Sequence, residues 1–349
     1  IYGRDPNWVP PLKISLKSLL DPKHPFHKTS ALKNWLAMES GKVVGRISAC
    51  VNRQHNEFHQ EKCGFWGFFE VLPGHENVTE LLFKTSNDWL KSQGMDQIRG
   101  PMNPSTNYEC GLLVEGFDDP PQIMMTYNPK SYSALVEKQG QAKVVDLLAW
   151  KVPADVKLPE KVVNAVKYAE RKSAISYRTL NKKKWDEEIE LMHEIYNDAW
   201  EHNWGFVPMT KEEFKHTAND LKLVCDENLI IFCKVNDNYA GFIIALPDYN
   251  QIFKRIPNGK LLPTGIFKIL TGRKSIKRAR VITLGLKKKY RNLGLGSLLY
   301  FKIQENLVKQ GFNEVEMSWV LENNADMNKH LVLMGAEPYK RYRLYQSQL

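Results

Sequence analysis

One succession of strand, turn and helix signals is written twice along this 349-residue chain, and that repeat narrows the possible folds more than any single motif. In the first half, WLAMESGKVVGRISACV (35–51) makes two strand-like runs around a turn at Glu39–Lys42. In the second, LIIFCKVNDNYAGFIIALP (229–247) does the same around Asn236-Asp237-Asn238, and such turn residues between β-branched runs signal hairpins. GFWGFFEVL (64–72) follows as an apolar strand, then a helix with Val78, Leu81, Leu82, Thr85 and Trp89 on one face. MDQIRG (95–100), a helix over KSYSALVEKQG (130–140) and a closing strand AKVVDLLAWKV (142–152) complete the first half. Their counterparts are RVITLGL (280–286), a helix from Gly294 to Gln310, FNEVEMSWV (312–320), ADMNKHLVLMG (325–335) and KRYRLYQ (340–346). Gly140 and Gly335 take the same helix-ending position.

The predicted fold is therefore α/β with mixed, mostly antiparallel sheets flanked by helices, in two similar domains. The first spans 1–152 and carries an insertion at 101–128; the second spans 175–349 and carries one at 249–278. A proline-punctuated helical segment at 153–174 reads as the linker. Two amphipathic helices precede the second hairpin. Trp185, Ile189, Met192, Tyr196 and Ala199 form the core stripe of one, and KEEFKHTANDLKLV (211–224) is the other.

Composition excludes several classes. No stretch approaches the ~18 uncharged apolar residues of a membrane-spanning helix. The opening IYGRDPNWVPPL has no signal-peptide pattern and no initiator Met, so missing leader residues are one expectation. Five scattered cysteines, without CxxC and without metal-ligand spacing among themselves, predict buried reduced thiols, a cytoplasmic location and no metal. The net charge of +10 is concentrated: thirteen Lys and Arg and no Asp or Glu lie between Asn250 and Arg291. Such a block asks for a polyanionic cofactor, an anionic membrane face or nucleic acid.

YRNLGLGSLL (290–299) follows a strand and opens a helix. Glycines there let the chain turn sharply, and the first-turn amides of the new helix point outward without intrahelical partners. An anion can accept those hydrogen bonds, and Arg291 can add a charge-assisted one. Nicotinamide binding fails for want of a third glycine and a following acidic residue, and no P-loop is present.

With a hairpin and central strand before it, and a strand, helix and strand after it, Arg291-Asn292-Leu293-Gly294-Leu295-Gly296 resembles the Q/R-x-x-G-x-G/A loop of the GNAT acyltransferase superfamily. The resemblance covers residues ~176–349, and the first half resembles a degenerate copy without that loop. One working and one decayed copy is the arrangement of tandem members such as N-myristoyltransferases, Fem-type peptidyltransferases and mycothiol-synthase-like enzymes. The resemblance implies acyl-CoA, acetyl or longer, as co-substrate. Its diphosphate would rest on Asn292, Leu293, Gly294, Leu295, Gly296 and Ser297, and its pantetheine near Asn323 and Asn324. A backbone amide near Leu284 or Leu286 would stabilise the oxyanion, and a carboxylate would take the proton of an attacking amine.

The sequence departs from that pattern. Leu331 stands where the family often has a tyrosine acid, leaving Tyr339, Tyr342 or His330 as substitutes, and Thr283-Leu284-Gly285 stands where a strand glutamate is common. Asp248, where the second insertion begins, and Glu109 are the candidate bases, with Tyr339 as candidate acid; a turn-closing role for Asp248 stays open. Strand alternation turns Glu316 toward solvent. The insertion 101–128 reads as a wall of the acceptor pocket, offering Asn107, Glu109, Glu115 and Tyr127, while His202 and Trp204 face substrate from the turn 201–208. Lys, Arg and apolar residues interleave through 254–280, which suits an anionic membrane surface or, alternatively, attraction of the CoA phosphates.

The first expectation is an N-acyltransferase acting on a primary amine, with a long acyl chain and a sphingoid-base or amino-lipid acceptor at the inner face of the membrane. The alternatives are Fem-like transfer from aminoacyl-tRNA, for which no RNA-binding motif is seen, and a non-catalytic GNAT-fold binder. Oligomeric state is left open.

Overall fold

Alternating β-branched and aromatic residues, broken at turn residues, set the strands of the computed structural model. It describes residues 1–349 except 161–162, 165–166, 169–174 and 202, and the side chains of Pro257 and Asn292. Part of the expected linker 153–174 and all of His202 thus lie outside the described residues. Strands β1 (Ser30–Glu39) and β2 (Lys42–Asn52) form the first hairpin. Its two turn residues, Ser40 and Gly41, have φ of 48° and 76°. Asn236 and Asp237 (48° and 65°) close the second hairpin, of β10 (Ile230–Val235) and β11 (Asn238–Pro247). Two positive φ values match the twist of the flanking strands, as in a type I′ turn. Gly140 and Gly335 both end helices with φ near that left-handed region, at 76° and 78°.

In the first half, β3 (Cys63–Val71) pairs antiparallel with β2. The helix Val78–Ser92 then carries the chain to β4 (Gln97–Gly100), parallel to β3. In the second half β9 (Ile175–Thr179) pairs with β10, and β12 (Arg278–Leu286) with β11. The helix Leu295–Lys309 then leads to β13 (Glu314–Leu321), parallel to β12. Each half has the mixed, mostly antiparallel sheet expected of it.

The closing strands change places. β8 (Ala142–Pro153), which ends the first half in sequence, pairs antiparallel with β13 of the second. β14 (Glu337–Gln348), at the end of the chain, pairs with β4 of the first. The two also pair with each other, from Glu337↔Lys151 to Gln346↔Ala142. Among the described residues the two sheets therefore fuse into one of twelve strands, ordered β1-β2-β3-β4-β14-β8-β13-β12-β11-β10-β9. Off that path, β7 (Leu112–Glu115) lies against β14.

The parallel pairs open into gaps. β12 and β13 pair only over Arg278–Val281 and Glu314–Met317, and their later residues diverge. β3 and β4 likewise pair only over Cys63–Phe65 and Gln97–Arg99. In the first half the chain itself fills the gap, with β5 (Met102–Asn103), which also pairs with β6 (Glu109–Cys110). The Phe68 amide donates to Asn103 Oδ1 at 2.7 Å, and a Cβ on Gly67 would lie 1.9 Å from the Met102 carbonyl oxygen. Only glycine lets the two backbones come so close. All five cysteines are buried and free, as expected. No helix among the described residues is long and apolar enough to cross a membrane.

Candidate active site

The gap between β12 and β13 opens into a cavity of about 330 Å³, within the range of ligand sites. One wall comes from β11, whose alternation puts Phe242, Ile244 and Leu246 on the same face. The opposite wall is the pair of helices Trp185–Trp200 and Lys211–Leu221. Thr210 caps the second, its side chain accepting from the Glu213 amide. Trp185, Ile189, Met192, Tyr196 and Trp200 recur every three or four residues and line the cavity for the whole length of the first helix. Trp185, Ile189 and Met192 of the expected core stripe are buried in the core, with Tyr196 packed against it, and these four also line the cavity; Ala199 does not.

At the junction of the parallel strands the lining turns polar. Arg280 is buried, and its Nε donates to Ser318 Oγ at 2.7 Å and its Nη2 to the Ser318 carbonyl at 3.0 Å. Its Nη1 donates to the carbonyls of Ile123 (2.8 Å) and Met124 (3.2 Å), tying the first half's insertion to the second half's strands. Glu316, fully buried, lies 3.6 Å from the guanidinium and accepts from Ser318 and from the Tyr339 hydroxyl. The solvent-facing reading of Glu316 is thus corrected: Arg280 of β12 and Tyr339 of β14 close over that side chain. Arg280 was not singled out in the sequence, where KRARVITLGL looks like a basic strand start.

Glu109 stands near Arg280, next in sequence to the cavity-lining Tyr108 but not itself among the residues that line the cavity. Its side chain opens onto accessible space, and no hydrogen bond or ion pair to its carboxylate is found among the described residues. Although the residue is exposed, the protein around its carboxyl raises the pKa, to about 7, against the opposing pull of Arg280. A carboxyl poised there, without a partner, can take a proton near neutral pH.

The other sequence candidates divide. Thr106, Asn107, Tyr108 and Met124 of the insertion do line the cavity, as does Trp204. Asn107 bridges the halves, accepting from the Tyr196 hydroxyl at 3.0 Å and donating to the Val207 carbonyl at 3.1 Å. Asp248 does not line it. At 2% exposure its carboxylate accepts from the amides of Ile123 (2.9 Å) and Asn250 (3.3 Å) and from Gln251, a turn-closing role, and burial lifts its pKa to about 7. Glu115 pairs with Arg341 at the sheet edge, and Tyr127 donates to Asp5 at 2.8 Å, pinning the N-terminal segment; both lie away from the cavity. Tyr339 is also outside its lining, and burial first, then Glu316, raises its pKa. Such a phenol is a reluctant proton donor.

On the donor side, a 3-10 turn over Lys288–Leu293 brings the chain to Gly294, φ 70°, which caps the helix Leu295–Lys309. A Cβ on Gly294 would meet nothing within 4 Å, so the space before the helix is open. Leu295 is buried beneath it and Leu293 is exposed. The amides opening that helix lack intrahelical partners and suit a diphosphate. Arg291 donates Nη2 to the Ala199 carbonyl at 2.7 Å, which anchors the loop to the end of the cavity-wall helix. Ser297 bonds His330 at 2.5 Å. Leu284 and Asn324 line the cavity, Asn324 also capping the helix Ala325–Leu333 through the Met327 amide. Leu286 faces Gly296 across 3.8 Å from that glycine's ideal Cβ, and Asn323 is exposed beside them.

Residues 189–330 match the acetyltransferase (GNAT) family. Protein YghO of Escherichia coli (strain K12) is 35% identical over 363 residues, covering 100% of this chain and 90% of that protein. The bacterial ceramide synthase of Caulobacter vibrioides (strain NA1000 / CB15N) is 36% identical over 358 residues, covering 100% and 92%. Among solved structures, a tandem GNAT protein from the clavulanic acid biosynthesis pathway aligns with a TM-score of 0.52 at 12% identity, over 92% of this chain and 83% of that one. The GCN5-related glucosamine N-acetyltransferase region of a fungal multi-domain β-N-acetylglucosaminidase aligns with a TM-score of 0.59 at 17% identity, over 99% and 35%. At such identities these two speak for the fold alone. With full-length relatives, two copies of one strand plan and one open gap beside a glycine-capped helix, the chain belongs to the GNAT superfamily as a tandem-GNAT acyltransferase.

Proposed function

We propose that the protein moves a long-chain acyl group from acyl-CoA to the primary amine of a lipid-like acceptor of the sphingoid-base type. The observation that carries this reading is the single cavity that joins the β12/β13 gap to an apolar arm under two helices. A GNAT enzyme uses acyl-CoA as co-substrate, and an acetyl group would leave that arm empty. The Caulobacter relative, named a ceramide synthase, supports the same acceptor class.

In this reading the amides of Gly294–Ser297 hold the diphosphate, and Leu284 and Asn324 flank the pantetheine arm. Glu109 accepts the proton of the amine as its nitrogen attacks the thioester carbon. The C–N bond forms, the C–S bond breaks, and the sulfur leaves as CoA thiol. Arg280 positions Ser318 and the loop at Ile123–Met124 around the reacting atoms. The filled gap of the first half leaves no equivalent room there.

The acceptor would be met at a membrane. The insertion 249–278 packs Ile252, Ile256, Ile269 and Ile276 inward but exposes Leu262 (76%), Phe267 (66%) and Leu270 (59%) among Lys260, Lys268 and Lys274. Beside it, Pro11 packs on Gly259 and leads into the helix Lys13–Leu20, which buries none of its residues. Apolar side chains ringed by lysines fit an anionic lipid surface.

The test is incubation with hexadecanoyl-CoA and a long-chain amino alcohol, following free thiol and amide product together. Equal release of both supports the reading; neither product forming refutes it. Co-sedimentation with anionic but not neutral vesicles, lost in Phe267→Asp, tests the membrane surface.

A further inference from the structure

The apolar arm has a fixed length and a closed end. Its lining on the helix Trp185–Trp200 runs from Trp200, which sits against Gly285 at the strand gap, to Trp185 at the far end. Fifteen residues of helix at 1.5 Å each make roughly 22 Å. The far end is shut by Trp185, Cys225 and Ile230, all buried, with Leu221 beside them. Trp185 is itself fixed, its indole N–H donating to Asn219 Oδ1 at 2.8 Å.

We infer that this arm is a length gauge for the acyl group: one extended chain enters from the gap, and the floor at Trp185 sets the longest chain accepted. The inference rests on the acyl-transfer reading above. A C–C bond of ~1.5 Å advances an extended chain by ~1.3 Å per carbon, so the full arm corresponds to roughly seventeen carbons. Ile189 stands eleven residues along the helix from Trp200, or roughly 16 Å, which is the depth of about twelve carbons.

Ile189→Trp therefore shortens the arm without touching the gap. The experiment compares kcat/KM for hexadecanoyl-CoA and octanoyl-CoA with one acceptor, in wild type and in Ile189→Trp. The expected result is a loss of a hundredfold or more with the long donor, while the short donor stays within about threefold. The short donor also reports that the variant is folded. Ala218→Phe, entering the arm from the facing helix, is the second variant and moves the same ratio in the same direction. Equal loss with both donors in both variants overturns the gauge. So does a shift in preference for acceptor length in place of donor length. A wild-type protein that transfers no acyl group from any CoA donor instead overturns the acyl-transfer reading, and the gauge with it.

Discussion

Among the described residues, the carboxyls of Glu109, Asp248 and Glu213 are lifted to about 7, and of these three Glu109 alone has no hydrogen-bond partner found there. Burial is the first cause in each. Asp248 is held by two backbone amides and Gln251, and Glu213 by the Tyr108 hydroxyl at 2.9 Å. Glu109 has accessible space before it and the buried Arg280 nearby. With a pKa of about 7, it is half ionised at pH 7 and about one-tenth ionised a unit lower. Log kcat/KM should then climb with slope one below about pH 7 and level above it. Glu109→Gln keeps the shape of the side chain and removes the base, so the rate should fall by roughly 10²–10⁴ and the ascending limb should vanish. The assay is thiol release at several acyl-CoA concentrations between about pH 5 and pH 9, run in parallel on Asp248→Asn. A Glu109→Gln enzyme that loses less than about threefold and keeps its limb would refute the assignment. If Asp248→Asn loses the limb instead, the proton path runs through the turn and not through Glu109.

The remaining predictions concern stability and the two gaps. Asp248 binds its proton more tightly folded than unfolded, so stability from this group is highest below pH 4 and falls as pH rises toward 7. The upper bound is ~4 kcal/mol. Asp248→Asn should flatten that slope in denaturant titrations across this range while turnover persists. Gly67→Ala should destabilise the protein by about 3 kcal/mol, because its Cβ meets backbone at 1.9 Å. Gly296→Ala, whose nearest contact is Leu286 at 3.8 Å, is tolerated in the same melting experiment. Gly294→Leu costs about 1–2 kcal/mol for its left-handed backbone. By filling the open space before the helix amides it should also raise KM for acyl-CoA at least tenfold, with KM for the amine unchanged.

Local signals carried the elements well. Ser40-Gly41 and Asn236-Asp237 gave both hairpins because a two-residue turn needs positive φ, and the glycine loop stood out because a helix start without side chains is chemically distinctive. Strand partners were a different matter. β8 and β14 are both long, alternating and half apolar, so nothing within either says which sheet it closes; the exchange is a property of the whole sheet. Burial suffered for the same reason. Alternation along β13 alone says nothing of the side chains that arrive from β12 and β14, where Arg280 and Tyr339 meet the buried Glu316. The stripe Trp185-Ile189-Met192-Tyr196 was legible as core, but an apolar face looks the same in sequence whether or not a cavity lies against part of it. Arg280 was hidden among neighbouring lysines and arginines, and the plug at Met102–Asn103 lay inside a loop with no period to betray it.

The exchanged strands also bear on how the polypeptide is made. The nascent N-terminal half leaves the ribosome with β4 paired on one side only, because its neighbour, Glu337–Gln348, is translated after the other strands of the second half. Until then β4 and β8 both present open edges, which invite pairing with another chain. The first half therefore waits for the second, against the usual order in which an N-terminal domain folds first. A chain released early, just short of β14, would be a pair of sheets with the strand between them missing, and a natural client for a chaperone.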